Sequence, residues 1–220
     1  MDEFSNVLIR SPLFQGMNEE KILSILTCLA AKRHHYSKGE YILQTGDPID
    51  SFGLVLEGNA HVVQEDFWGN RNIIANISVG EVFAESYACV TGVPLGVNVI
   101  AQESATILFL NVKRALTTCS SACEFHNTLI RNLVSMLAIK NLRLNEKLQY
   151  VTQRSTREKL LSFLSVESRK RGSASFEISF NRQQLADYLS VDRSAMSSEL
   201  SKLRKEGVLT FHKDQFILHS

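Results

Sequence analysis

The chain lacks most of what would place it outside the ordinary globular class. Its 220 residues include four cysteines, at irregular spacing, which excludes a disulfide framework. No apolar run approaches the ~18–20 residues of a membrane span. The opening MDEFSNVLIRSPLF has neither the basic start nor the long apolar core of a signal peptide, so a cytoplasmic protein is expected. There is no low-complexity tract, no strict repeat, no phosphate-binding glycine loop and no nucleophile–base motif. An enzyme is therefore not expected. His34, His35 and His61 lack the spacing of a β-barrel metal site, and no metal is assigned to them. Cys119 and Cys123 stand four apart near His126, and we read them as small packing residues rather than zinc ligands or a redox pair.

Charge of one sign is also scarce overall, because the net formal charge is only +1. That balance conceals an asymmetry. Residues 149–220 carry 12 Lys and Arg against 8 Asp and Glu, whereas residues 1–148 carry 12 against 15. A basic C-terminal part suits phosphate contact, and the shift in sign suggests two domains.

In the basic part, the segment from Phe180 to Leu209 shows two short amphipathic helices. Leu185 and Leu189, with Ala186 beside them, make one apolar face; Met196, Leu200 and Leu203 make the next, at i, i+4 and i+7. Asp192 is placed to cap the second helix. Only Ser190-Val191-Asp192 separates the two, which demands a tight helix-turn-helix corner. The second helix turns Arg193, Ser194, Ser197, Ser198 and Ser201 outward, a small polar face suited to the major groove. Lys202, Arg204 and Lys205 follow, then an apolar return, VLTFHKDQFIL, read as a hairpin wing turning at Lys213-Asp214. The candidate DNA contacts are Arg182, Gln183, Arg193, Ser194, Ser197, Ser198, Ser201, Lys202 and Lys205.

The front of the chain has a different texture. Residues 12–33 begin with a turn and continue as a helix capped by Asn18, with Ile22, Leu23, Leu26 and Leu29 as its buried stripe. From Tyr36 to about Leu110, β-rich runs alternate with turns at Lys38-Gly39, Gly46-Asp47, Gly58-Asn59, Gly69-Asn70 and Gly80-Glu81. This rhythm predicts an all-β sandwich or jelly roll. A helical period then takes over from about 122 to 151. Ile130, Val134, Leu137, Asn141, Leu144, Leu148 and Val151 follow alternating steps of four and three, a heptad seam with one polar member. A parallel two-stranded coiled coil is expected there, and a helix packed on its own β domain is the alternative. Thr152–Arg154 then separates the domains 1–151 and 152–220, because Ser155 and Glu158 form a capping box that starts a new helix. The expected fold class is α+β: jelly roll, long dimerisation helix, winged helix-turn-helix.

This order resembles the Crp/Fnr family of bacterial transcription regulators. The phrases PLFQGMNEEKILSIL, KGEYILQTGDPIDSFGLVLEGNAHVV, VGEVFAE and RQQLADYLSVDRSAMSSELSKLRKEGVL carry the resemblance across nearly the whole chain. It implies a homodimer on a palindromic operator in double-stranded DNA, with RNA polymerase a partner of many members. It also implies an effector pocket, here around Gly80, Glu81, Phe83, Glu85, Tyr87 and Leu95. Members that bind cyclic AMP carry an arginine for its phosphate, which here should fall near Val93–Val99; no basic residue lies between Arg71 and Lys113. A buried phosphate without a counter-charge is costly, which argues against cyclic AMP. An apolar or aromatic ligand, or none, is left open. Ser194 and Ser198 stand where cyclic-AMP-type members carry glutamate and arginine, so the operator should differ. Ser190 takes the corner where glycine is usual. The competing class is a ligand-binding or redox-sensing scaffold whose C-terminal domain pairs with protein rather than DNA.

Overall fold

The computed structural model describes residues 3–68, 71–116 and 124–219. Cys119 and Cys123, and the Gly69-Asn70 turn, lie outside them. Two compact units divide the chain, Met1–Ala138 and Ile139–Ser220.

The first unit opens with α1 (Ser5–Arg10) and α2 (Glu19–Cys28). Asn18 caps α2 as expected, its side chain accepting the Lys21 amide at 3.0 Å. The buried stripe differs from the expected one. Ile22, Ile25 and Leu29 are buried while Leu23 is 41% exposed, because the face that packs inward is centred one residue further round the helix.

Eight strands follow: β1 (Lys32–Tyr36), β2 (Tyr41–Leu43), β3 (Ser51–Glu57), β4 (Ala60–Glu65), β5 (Arg71–Ile77), β6 (Val82–Phe83), β7 (Asn98–Ala101) and β8 (Ala105–Asn111). They form two four-stranded antiparallel sheets, ordered β1-β8-β3-β6 and β2-β7-β4-β5. The alternation of β3 explains how both of its faces are buried. Phe52, Leu54 and Leu56 point to a core shared with α1 and α2, whereas Val55 points into the core that lies between the sheets. In β8, Leu108 and Leu110 likewise serve the first core, and Ala105 and Ile107 the second. The turn glycines are used as the spacing suggested. Gly58 has φ +74°, and a Cβ there would stand 2.4 Å from the Ser104 carbonyl oxygen, so no other residue fits.

After α3 (Glu85–Ala88) and α4 (Val112–Leu116) comes the long helix α5 (Glu124–Val151). Its first half packs on the first unit through Leu129 and Leu133, and Asn132 Nδ2 donates to the carbonyls of Leu13 and Gln15 at 3.0 and 2.9 Å.

The second unit takes the other end of α5, then α6 (Thr156–Arg171), β9 (Ser175–Glu177), α7 (Arg182–Leu189), α8 (Arg193–Lys205), β10 (Leu209–His212) and β11 (Gln215–Leu218). Ser155 and Glu158 form the expected capping box at the start of α6. The chain breaks its helix at 152–155, but that corner lies inside the second unit, because Tyr150 is fully buried against Phe163. The wing turns at Lys213 and Asp214. A third strand, β9, joins its open side in the order β10-β11-β9; at three residues it is too short to announce itself by pattern.

Candidate nucleic-acid interface

The two helices α7 and α8 are each started by a side-chain cap. Asn181 Oδ1 accepts the Gln184 amide at 3.0 Å while Gln184 Oε1 accepts the Asn181 amide at 2.9 Å, a reciprocal pair. Asp192 Oδ1 accepts the Ala195 amide at 2.8 Å, which fixes the first turn of α8. Between them Ser190 adopts φ +53° and ψ +56°, the left-handed conformation. Lys159 Nζ, reaching over from α6, donates to the carbonyls of Leu189 at 3.4 Å and Ser190 at 3.3 Å and so satisfies the end of α7. A Cβ in this conformation costs about 1–2 kcal/mol. Ser190→Gly is therefore expected to raise the stability of the second unit by about 1 kcal/mol, after the extra chain entropy of glycine is subtracted. Urea unfolding followed by circular dichroism would read it; a loss of stability would show that the serine side chain contributes something the backbone geometry does not.

Helix α8 buries Met196, Leu200 and Leu203 and exposes the opposite side. Arg193, Ser194, Ser197, Ser198, Lys202 and Lys205 are exposed, and Ser201 is half-buried. These seven residues lie together on one face. Their hydrogen-bonding groups are not all equally free: Ser201 Oγ donates to the Ser197 carbonyl at 2.9 Å, and Lys202 Nζ pairs with Glu199 Oε2 at 3.2 Å. The orientation of α8 is held from α6. Arg157 binds Glu206 through both terminal nitrogens, at 3.1 and 2.5 Å, and Glu199 at 3.3 Å. Its hydrogen bonds to Glu206 raise the guanidinium pKa and lower that of the carboxyl. Nothing in the spacing of the sequence marks Arg157 or Lys159 for these roles, which exist only because α6 packs beside the corner.

Two expected contacts stand on α7 instead. Gln183 is exposed and donates to Asp187 Oδ1 at 2.8 Å. Arg182 is half-buried, with its guanidinium carbon 4.8 Å from the ring centre of Phe211 and 5.2 Å from that of Phe216. Burial between these rings pulls its pKa down, with Asp214 acting in the other direction.

The six residues expected around an effector occupy different settings. Gly80 and Glu81 occupy a surface turn, where the Gly80 carbonyl accepts Ser11 Oγ at 2.8 Å and Glu81 Oε2 accepts the Ser78 amide at 2.8 Å. Phe83 lies in the core between the sheets, edge-on to Phe109 and directly over Gly53, where a Cβ would meet the ring at 2.1 Å. Glu85 and Leu95 are buried, and half-buried Tyr87 closes over Gly96, where a Cβ would stand 2.9 Å from the tyrosine hydroxyl. Ala84, just before α3, holds φ +63°. Of the seam residues, Val134, Leu144 and Leu148 are 56%, 57% and 46% exposed and Asn141 is exposed, whereas Ile130 and Leu137 are half-buried.

The family model described as "Cyclic nucleotide-binding domain" matches residues 33–121, and that described as "Crp-like helix-turn-helix domain" matches residues 158–220. The chain belongs to the Crp/Fnr family. Its fold is that of a Crp/Fnr-type DNA-binding transcription regulator, with a β-rich domain, the long helix α5 and a helix-turn-helix domain. Among solved structures it is similar to the catabolite activator protein of Thermus thermophilus, at 21% identity and a TM-score of 0.52, covering 95% of this chain and 94% of that one. The c-di-GMP responsive global regulator CLP of Xanthomonas campestris is similar over 92% of this chain and 100% of its own, at 15% identity and a TM-score of 0.56. DNR from Pseudomonas aeruginosa covers 100% and is itself covered over 95%, at 16% identity and a TM-score of 0.51. Among curated proteins, the mouse (Mus musculus) cGMP-dependent protein kinase 2 is 28% identical over 104 residues, 47% of this chain. The matched stretch spans only 13% of that kinase. No helix among the described residues is long and apolar enough to cross a membrane.

Proposed function

We propose that this Crp/Fnr regulator acts as a homodimer in the cytoplasm, binding a palindromic operator through α8, under a signal other than cyclic AMP. It is a regulator, not an enzyme. The observation that carries the reading is the division of α8. Its three large apolar side chains are buried, and the opposite side presents Arg193 at the N-terminal end followed by exposed serines. Small side chains let a helix enter the major groove closely, and an arginine at its start can reach a base edge or a phosphate.

The dimer is supported by α5. Val134, Asn141, Leu144 and Leu148 lie on one exposed stripe at heptad spacing, and a second copy would cover the apolar members while Asn141 holds the register. The departure from cyclic AMP is supported by the stretch Val93–Val99, which carries no basic side chain where the resemblance would put the phosphate-binding arginine.

Selection of bound duplexes from a random pool tests the core of the reading, and a two-fold symmetric consensus is the expected result. Arg193→Ala should then weaken binding to that operator by about 1–3 kcal/mol per half-site, roughly 5- to 150-fold for each, and relax preference at one position in each half-site. Fluorescence anisotropy with matched and altered duplexes reads both effects. A variant as tight and selective as wild type would remove α8 as the reading helix. Duplex binding that does not weaken with salt would favour the alternative of a protein-binding domain.

A further inference from the structure

Phe211 of the wing has two guanidinium groups over its ring, one from each helix of the helix-turn-helix. Arg182, the first residue of α7, stands 4.8 Å from its ring centre, and Arg204, in the last turn of α8, stands 5.1 Å away. Phe216, directly across the hairpin from Phe211, is fully buried and stacks on both Phe211 and the Phe176 ring of β9. The stack thus ties all three strands of the wing sheet to α7 and α8. Cation–π contacts of this kind strengthen when they are desolvated, and Nη2 of Arg182 is enclosed with no hydrogen-bond partner. That nitrogen cannot reach a phosphate unless the wing opens. Two residues beyond Phe211, Lys213 occupies the exposed hairpin tip with φ +53°.

We propose that Arg182 is a positioning residue: with Arg204 it clamps Phe211 so that the wing presents Lys213 to a DNA phosphate flanking the groove occupied by α8. The inference rests on the DNA-binding reading above. It moves Arg182 from contact to support and adds Lys213 to the interface.

The chemistry that distinguishes the two roles is counterion release. Each phosphate neutralised by a protein cation adds about 0.9 to the slope of log K against log salt. Operator affinity would be measured by fluorescence anisotropy across salt concentrations for wild type, Lys213→Ala, Arg182→Met and the double variant. Methionine keeps much of the apolar packing and removes the charge. Lys213→Ala, present in both protomers, should flatten the slope by about two phosphates, one in each half-site; Arg182→Met should do the same, and the double variant should flatten it no further. Phe211→Leu keeps both arginines and should reproduce Arg182→Met, and it replaces that variant should Arg182→Met fail to fold. An unchanged slope in Lys213→Ala, Arg182→Met or Phe211→Leu overturns the proposal. So does a double variant that loses further phosphates beyond those two, since Arg182 would then touch DNA itself. A wild-type protein with no salt-dependent duplex binding removes the DNA reading, and this inference with it; a steep wild-type slope that Arg182→Met leaves untouched removes this inference alone.

Discussion

Replacing Leu144 and Leu148 together with glutamate should yield monomers and cost the protein at least ~100-fold in affinity for its operator. Both side chains are about half exposed in the single chain, so the change removes little from the chain's own packing. In a two-stranded coil the same positions are knobs in the seam, and each becomes a carboxylate facing its symmetry mate. Burying four such charges without partners costs far more than the apolar contacts they replace. A monomer loses the second half-site, and with it the effective concentration that multiplies affinity by about 10²–10⁴. Sedimentation equilibrium and operator titration would read the two effects on one sample, with circular dichroism confirming that each unit stays folded. Leu137 is a poorer site for this test, because it also packs against the core beneath α5. A glutamate variant that remained dimeric would place the interface elsewhere.

Tyr150→Ala should destabilise the second unit by about 3–5 kcal/mol, the range for truncating a large buried aromatic side chain. Tyr150 is fully buried at the end of α5, edge-on to Phe163 at 5.5 Å and tilted against Tyr188 of α7 at 6.2 Å. Burial, and next the nearby Glu146 carboxylate, raise the phenol pKa far above its ordinary value, so the side chain stays neutral throughout the working pH range. Around it, Glu146 pairs with Lys170 of α6 at 2.5 Å and Lys147 Nζ lies 5.3 Å from the Tyr188 ring centre. These surface contacts contribute modestly; the buried ring is the main attachment of the last turn of α5 to the helix-turn-helix core. Thermal melts of wild type and variant would show the loss, confined to the transition of the second unit. A shift below about 1 kcal/mol would mean that the core closes over the cavity.

Much of the architecture was legible because its signals are local. Helix caps at Asn18, Ser155 and Asp192 depend on a residue and its next three neighbours, and all three were recognised and form as expected. The β-rich texture of the front half and the turn at Lys213-Asp214 come from the same short-range chemistry. The inward face of α8 was also readable, because the spacing of Met196, Leu200 and Leu203 admits one buried side. Leu23 shows the limit. It lies beside the true stripe, and only the shape of the surface beneath α2 decides that Ile25 goes in and Leu23 stays out.

The candidate site divides in the same way. Arg193 and the serines of α8 could be named from the sequence because they share one helix. Arg182 could be listed as a contact but not understood, since its partners Phe211 and Phe216 are about thirty residues away in the chain and meet it only when the wing folds back. Lys159, which supports the strained corner at Ser190, was invisible for the same reason.

By itself the sequence determined the kind of most elements, their order, the family and the inward face of α8. Propensity, periodicity and capping act over a few residues and do not await the fold. The tertiary structure decided which charges are spent on partners and which remain for a ligand. It tied Arg157 to Glu199 and Glu206, Lys202 to Glu199 and Arg182 to the wing, and left Arg193, Lys205 and Lys213 exposed. A charge is committed by what packs within a few ångströms of it, and that distance is set by the fold rather than by position along the chain.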